Sequence, residues 1–222
     1  MSAVPAYNPA PALGEGIFTV RDAADILNLS PAKVRHWLNT YWDGRFGRYS
    51  WKTDNSKAVN FSTLIEFYVT LQLHEQGIPN REIFKAHKSL SKHFKTPFPF
   101  AQQDILDALH CDGKKLFIET NDGIISADGT RQLNLDIIRA FIRNIEFGAD
   151  KMPAKLYPRG KENAVVVDPT RQFGHPVLND TNVYPETVYN MYLAEEPLAF
   201  IAYSYQLTEK EVNDAIEYCR AA

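Results

Sequence analysis

Cysteine is scarce: the 222 residues hold two, Cys111 and Cys219, and no Cys-x-x-Cys. That excludes a zinc ribbon, an iron–sulfur cluster and a disulfide framework, and it fits a reducing, cytoplasmic location. Long apolar runs are missing as well. A stretch such as Ala164-Val165-Val166-Val167 falls far short of the roughly 20 apolar residues a membrane helix needs. No basic segment followed by an apolar core opens the chain, so no secretion signal is expected. There is no glycine-rich phosphate loop and no nucleophile elbow. His87 and His93 stand six apart, which does not bring them to one helix face as metal ligands. His110-Cys111 is an isolated pair that reads as packing, and Asp168 and Asp180 read as turn residues. Accordingly no catalytic residue, metal ligand or cofactor is expected.

What is present is an ordinary globular composition, 45% hydrophobic and 23% charged, with length for one or two domains. The net charge of −3 hides an asymmetry: residues 17–95 carry a balance of +5, and residues 165–222 carry −6. A basic front and an acidic back suggest two jobs in one chain.

Residues 1–16, with three prolines and two glycines, read as a flexible arm. Thr19 can cap a first helix bearing Ala23, Ala24 and Leu27. Ser30 followed by Pro31 is a start signal for a second, with Val34, Trp37 and Leu38 on one face. Residues 41–57 are aromatic and basic, a hairpin or ordered loop. Ser62 is the expected cap of a long helix, Gly77-Ile78-Pro79-Asn80 its end, and residues 81–94 another helix. Thr96-Pro97-Phe98-Pro99-Phe100 is a candidate boundary. The middle segment, 96–164, is expected to hold a helix at 102–109, a hairpin turning at Asn121-Asp122-Gly123, a helix over 136–147 and a linker over 148–164. The tail reads as a strand at 164–167, a turn at Asp168-Pro169, and helices near 185–194, 197–205 and 208–220, the last with the capping-box spacing of Thr208 and Glu211.

Two constellations point to function. The first is helix, short turn, helix and basic aromatic loop. In a helix-turn-helix the second helix enters the major groove. Here Lys33, Arg35 and His36 would point outward, with Arg45, Arg48 and Lys52 in the loop suited to backbone contact. The plainer alternative is a helical hairpin with a solvated basic face, whose Trp42 and Trp51 simply close a core. Residues 20–37, from Val20-Arg21-Asp22-Ala23-Ala24 to Lys33-Val34-Arg35-His36-Trp37, resemble the MerR-type winged helix-turn-helix, as does the order wing, long helix, Gly-Ile-Pro break, helix. The resemblance covers about 17–95 and implies that Arg35 contacts DNA and His36 a phosphate. Where that family's wing often ends in a Tyr-Arg-x-Tyr-like motif, this chain has Ala58-Val59-Asn60-Phe61.

The second constellation is Val165-Val166-Val167-Asp168-Pro169, then Phe173-Gly174-His175-Pro176-Val177, and Ile201-Ala202 with Tyr205-x-Leu207-Thr208. It is similar to a small bacterial domain, formerly of unknown function, frequent in VapB-like antitoxins. That domain's Gly-Thr-Arg element is replaced by Asp180-Thr181-Asn182. The whole order resembles a subgroup of such antitoxins whose partners are PIN-fold ribonuclease toxins. The resemblance implies a DNA-binding homodimer that represses its own promoter and silences the toxin, with Asp168, Phe173, His175, Pro176, Thr181 and Asn182 as candidate partner contacts. Charge agrees: the basic front suits operator DNA and the acidic tail a protein partner, although a merely solvated helical surface gives the same tail. A stand-alone ligand-responsive regulator, with a small molecule near Phe98, Phe100 and Phe141, stays open, as does a pure adaptor. The expected fold is mainly α with small β elements: a winged helix-turn-helix over 17–95, the middle segment, and a three-helix domain over 165–222.

Overall fold

The fold opens on a tightly capped helix. Strand β1 (Phe18–Thr19) ends at Thr19, whose hydroxyl accepts from Asp22 N while the Asp22 carboxylate accepts from Thr19 N at 2.8 Å. This reciprocal cap contributes about 1 kcal/mol and fixes the start of α1 (Val20–Leu27). Asn28 in the left-handed region stops α1, and Ser30 starts α2 (Pro31–Trp37) by accepting from Lys33 N. The computed structural model describes residues 12–47, 49–53, 56–112, 115–120, 123–125 and 135–221.

From α2 the chain runs into a π-helical segment, Leu38–Phe46, then β2 (Trp51–Lys52) and β3 (Lys57–Val59). β3 lies between β1 and β2 in a small antiparallel sheet. Helices α3 (Phe61–Glu75) and α4 (Asn80–Phe94) follow. The cap of α3 is Asn60 rather than Ser62, with Asn60 Oδ1 accepting from Thr63 N. An amide oxygen one residue past a strand served better than the hydroxyl the sequence pattern favoured.

The candidate boundary at residues 96–100 does not interrupt the core. Phe98, Phe100 and Ala101 are buried with Trp37, Trp42, Phe67 and Ile83 in one cluster, which extends through Leu106, Phe141 and Leu156 to Val167. The two prolines break helical periodicity, not burial. Phe98 and Phe100, proposed above as ligand neighbours with Phe141, are core residues. Beyond them come α5 (Gln103–Asp107), the antiparallel strands β4 (Leu109–Asp112), β5 (Lys115–Thr120) and β6 (Gly123–Ile125), and α6 (Leu135–Ile142). The turn pair Asn121-Asp122 between β5 and β6 lies outside the described residues.

The expected linker over 148–164 is structured. β7 (Ile145–Phe147) pairs antiparallel with β8 (Pro153–Leu156), and Leu156 bridges to Val167. Burial along the pair does not alternate, being intermediate from Pro153 to Lys155 with only Leu156 buried in β8, so no period of two marks the stretch as strand. Ile145 also takes the end of the expected helix into β7, which shortens α6.

β9 (Val165–Val166) pairs with β10 (Val177–Leu178), and α7 (Pro185–Leu193), α8 (Leu198–Tyr205) and α9 (Glu209–Ala221) complete the chain. Successive strand residues point to opposite faces. Val165 enters the C-terminal cluster with Val188, Ile201 and Val212, Val166 packs with Tyr157 and Val177, and Val167 closes the large core. Three valines thus serve three clusters. The architecture is mainly helical with four small sheets among the described residues.

Candidate nucleic-acid and partner interfaces

On α2 the apolar positions Val34 and Trp37 are buried, which turns Arg35 and His36 outward. Lys33 is half-buried with its ammonium 5.2 Å from the Trp37 ring centroid. His36 sits edge-on to Tyr41 and within 3.4 Å of Thr40 Oγ1. Arg35 lines an open groove of about 370 Å³ between α2 and the β2–β3 hairpin, with Asn39, Lys52, Thr53, Ser56 and Lys57. The groove therefore brings together Arg35 of the helix and Lys52 of the strand, two of the residues the sequence singled out. Arg45 is exposed and lies over the Tyr41 ring at 5.4 Å; Arg48 lies outside the described residues.

The residue that sequence reading missed is Asp43. Its carboxylate accepts from Tyr49 N, Ser50 N, Ser50 Oγ and Lys57 Nζ, the last at 2.6 Å. Burial opposes ionisation, but these donors, led by Lys57, carry its pKa below the ordinary value. Asp43 thereby ties the π-helical segment to the hairpin, and Lys57 is spent on it rather than offered outward. Lone acids in a basic loop are the available signal for such a clasp. Trp42 is fully buried against Phe67 and Phe84, so it closes a core as the plainer reading held.

The six candidate partner contacts in the tail have mixed positions. Asp168 is buried and caps a turn, accepting from Thr170 N and Oγ1, with Arg171 at 3.6 Å. Pro176 is buried, and Thr181 closes a turn through Leu178 O and Val183 N. Asn182 is exposed. Phe173 is 68% exposed, while its carbonyl accepts from Ile17 N at 2.8 Å. His175 is half-exposed, 3.3 Å from Glu186.

Three of these residues, Phe173, His175 and Pro176, belong to a seam with the N-terminal half. Gly174 has φ +91°, and a Cβ there would lie 2.4 Å from the Phe18 ring. The end of the expected flexible arm joins the same contact: Gly16 also abuts Phe18, and Glu15 O accepts from Phe61 N. Arg159 adds a bond to Ile26 O and lies over the Tyr218 ring. Between α1 and α7 remains a cleft of about 350 Å³, lined by Arg21, Asp22, Asp25, His175, Glu186 and Cys219 among others. Burial pushes the Cys219 thiol up to about 12, which makes it a poor nucleophile.

The outward apolar surface of the tail lies elsewhere. Leu193, Phe200 and Tyr203 are 59%, 49% and 84% exposed. Ile201 and Ala202 satisfy the core, so an eight-residue helix that is apolar nearly all round has aromatic side chains left over. Sequence reading missed that surplus, because spacing within so uniform a run does not say which side chains stay outside.

Residues 165–219 match the family described as Protein of unknown function (DUF433). The matched segment spans β9 through most of α9, and its Gly174 is the glycine held against Phe18. A search of the curated proteins gave no match. The whole chain is similar to the crystal structure of Rv2018 from Mycobacterium tuberculosis, at 19% identity and a TM-score of 0.67, over 90% of this chain and 96% of that one. This likeness concerns the fold. Among the described residues no group of three or more His, Cys, Asp or Glu can hold a metal ion, and no helix is long and apolar enough to cross a membrane.

Proposed function

We propose that the chain is the antitoxin of a toxin–antitoxin pair, binding its own promoter as a homodimer through a MerR-like winged helix-turn-helix and binding a PIN-fold ribonuclease through its DUF433 segment. The observation that carries this reading is the groove between α2 and the hairpin, where Arg35 and Lys52 face solvent with His36 alongside. A guanidinium on the second helix of such a pair suits a guanine edge, and the lysine suits phosphate. The acidic DUF433 segment would be repelled by DNA, and its exposed Phe200 and Tyr203 are of the residue class that anchors protein interfaces. No catalysis is assigned to the chain itself.

The test is affinity capture of the tagged full chain from its native host, read by mass spectrometry, with anisotropy on a duplex from upstream of its gene. The expected result is a small PIN-fold protein in near-equal amount and salt-sensitive binding to the duplex. Recovery of the chain alone, with promoter binding that responds to a metabolite, overturns the antitoxin reading in favour of a stand-alone regulator.

A further inference from the structure

The cleft between α1 and α7 has no part in the function proposed above, yet its walls come from both regions. α1 contributes Arg21, Asp22 and Asp25. Facing them are His175 and Pro176 from the loop before β10, Glu186 of α7 and Tyr218 of α9. Asp22 and Asp25 stand three residues apart and so share one face of α1. The volume of about 350 Å³ lies at the small end of ligand pockets, which run from about 300 to 1,000 Å³ and favour boundaries between domains.

The cleft is acidic. The carboxylates of Asp22, Asp25 and Glu186 face one guanidinium and one imidazole. Arg21 is a loose counter-ion: its Nε lies 3.6 Å from Asp25 Oδ2, and its side chain is 81% exposed, so the pair is weak. Asp22 spends Oδ2 on two neutral donors, Thr19 N and Thr19 Oγ1, and keeps its charge. Glu186 meets His175 at 3.3 Å. His175 registers this field: the hydrogen bond to Glu186 raises its pKa against partial burial, and attraction to Glu186 and Asp22 adds to the rise.

Tyr218 points to a ligand independently of the acids. It is only 3% exposed, and its hydroxyl forms no hydrogen bond among the described residues, whereas a buried hydroxyl ordinarily has a partner. Tyr218 also borders a second groove, with Glu162, Asp214 and Glu217. Burial raises the pKa of its hydroxyl, Arg159 over the ring opposes, and the carboxylates that add to the rise are Glu186 and Asp25. The hydroxyl is therefore aimed at Glu186 and Asp25, into the α1–α7 cleft, and keeps its proton.

We propose that this cleft binds a small aliphatic amine through a primary ammonium group, held by Glu186, Asp25 and the Tyr218 hydroxyl oxygen. An ammonium brings three donors and no acceptor, which suits two carboxylates and a hydroxyl oxygen; an anion would be repelled by the acids. Ile26, Pro176 and the rings of Tyr189 and Tyr218 supply apolar surface for an alkyl chain, and the face of a tyrosine ring attracts a cation. Because the walls belong to both regions, the ligand binds their docked arrangement and stabilises the seam. The inference needs neither DNA nor a toxin partner.

The experiment titrates the full-length chain with 1,4-diaminobutane, n-butylamine and butyrate by calorimetry, with the thermal midpoint as a second readout. Both amines should bind and butyrate should not. A hundredfold excess of diaminobutane over its dissociation constant should raise the midpoint by about 5–10 °C. Y218F should weaken both amines about tenfold and leave the midpoint of the unliganded chain in place, since the hydroxyl makes no bond there. D25N, at a side chain half exposed to solvent, should weaken them similarly and decides the matter if Y218F fails to fold. E217Q removes the same charge from the outer face of α9 and should change nothing. Equal binding of butyrate overturns the site, as do amine affinities unchanged in folded Y218F and in D25N, or the absence of both heat and midpoint shift with either amine.

Discussion

The chain contains two helix pairs built almost alike. In α1–α2 the stop is Asn28, φ 53° and ψ 49°; in α8–α9 it is Gln206, φ 56° and ψ 41°. Leucine follows in both, then a hydroxyl residue, Ser30 or Thr208, whose oxygen accepts at 3.2 Å from the amide three residues on. Yet the outward positions differ in sign: Arg35 and His36 on α2, Glu209 and Glu217 on α9. Burial differs too. α2 buries one face, whereas Val212, Asp214, Ala215, Ile216 and Tyr218 of α9 are all buried, with Asp214 accepting from Ala164 N and Lys210. The turn is generic solution chemistry, a left-handed cap followed by a hydroxyl cap. What the second helix can meet is decided by the charge and freedom of its outer face. The first pair is free to approach a polyanion; the second is committed to a core.

The largest perturbation severs the seam between the two regions. Gly174→Ala combines an unfavourable positive φ with a clash against a buried ring, and should cost about 3 kcal/mol. That corresponds to a fall of roughly 6–12 °C in thermal midpoint for a chain of this size, measurable by calorimetry. A second, lower transition would mean that the two regions unfold separately once undocked. Next comes Arg35→Ala, which should weaken promoter binding by about 2 kcal/mol, roughly 30-fold. The matching change on the second pair, Glu217→Gln, should leave DNA binding unaltered. Equal loss from both would erase the distinction drawn between the pairs. Tyr203→Ser should leave DNA binding and fold intact while weakening a captured protein partner by about 1–2 kcal/mol, read by titration calorimetry.

The helix pairs were legible because their signals are local: Thr19, Ser30 and Thr208 each announce a cap within three residues, and Val34 with Trp37 defines a face by spacing alone. The seam was not legible. Gly174 within Phe173-Gly174-His175 looks like turn chemistry, which its positive φ bears out, but the clash that a Cβ would meet comes from the ring of Phe18, far away in sequence. The same holds for Pro153–Leu156, whose partner β7 confers strand structure on a stretch that composition marks as linker. Candidate contacts fared likewise. Arg35 and Lys52 were accessible to reasoning because exposure on a short helix or strand follows from period. Asp168 and Thr181 were drawn from a motif whose residues hold turns, while the exposed Phe200 and Tyr203 were hidden inside a run that reads as uniformly apolar.

The smallest effects separate the two regions along the pH axis. Asp43 has its pKa lowered from an ordinary 3.8, against burial and through its bonds with Lys57, Ser50 and Tyr49. Its contribution is complete above the unfolded value and disappears as pH falls through the folded one. Asp43→Asn should cost about 1 kcal/mol at neutral pH and progressively less in acid. At the seam, the hydrogen bond to Glu186 raises His175 above 6.5 despite partial burial, with Glu186 and Asp22 adding attraction. Burial opposes the charge on Glu186, but the bond from His175 brings its carboxyl below 4.5. The pair therefore contributes fully between those ordinary values. It is lost as pH rises through the folded value of His175, and also as pH falls through that of Glu186. Both side chains are nearly half exposed and Arg21, Asp22 and Asp25 line the same cleft, so the gain is about 0.5 kcal/mol. Chemical denaturation of Glu186→Gln against the unmodified chain should show that difference near pH 5.5 and lose it by about pH 9. A difference that instead grows with pH would mean that Glu186 stabilises the seam without a charged His175. The hairpin clasp would then be the only one of the two that works through ionisation of both partners.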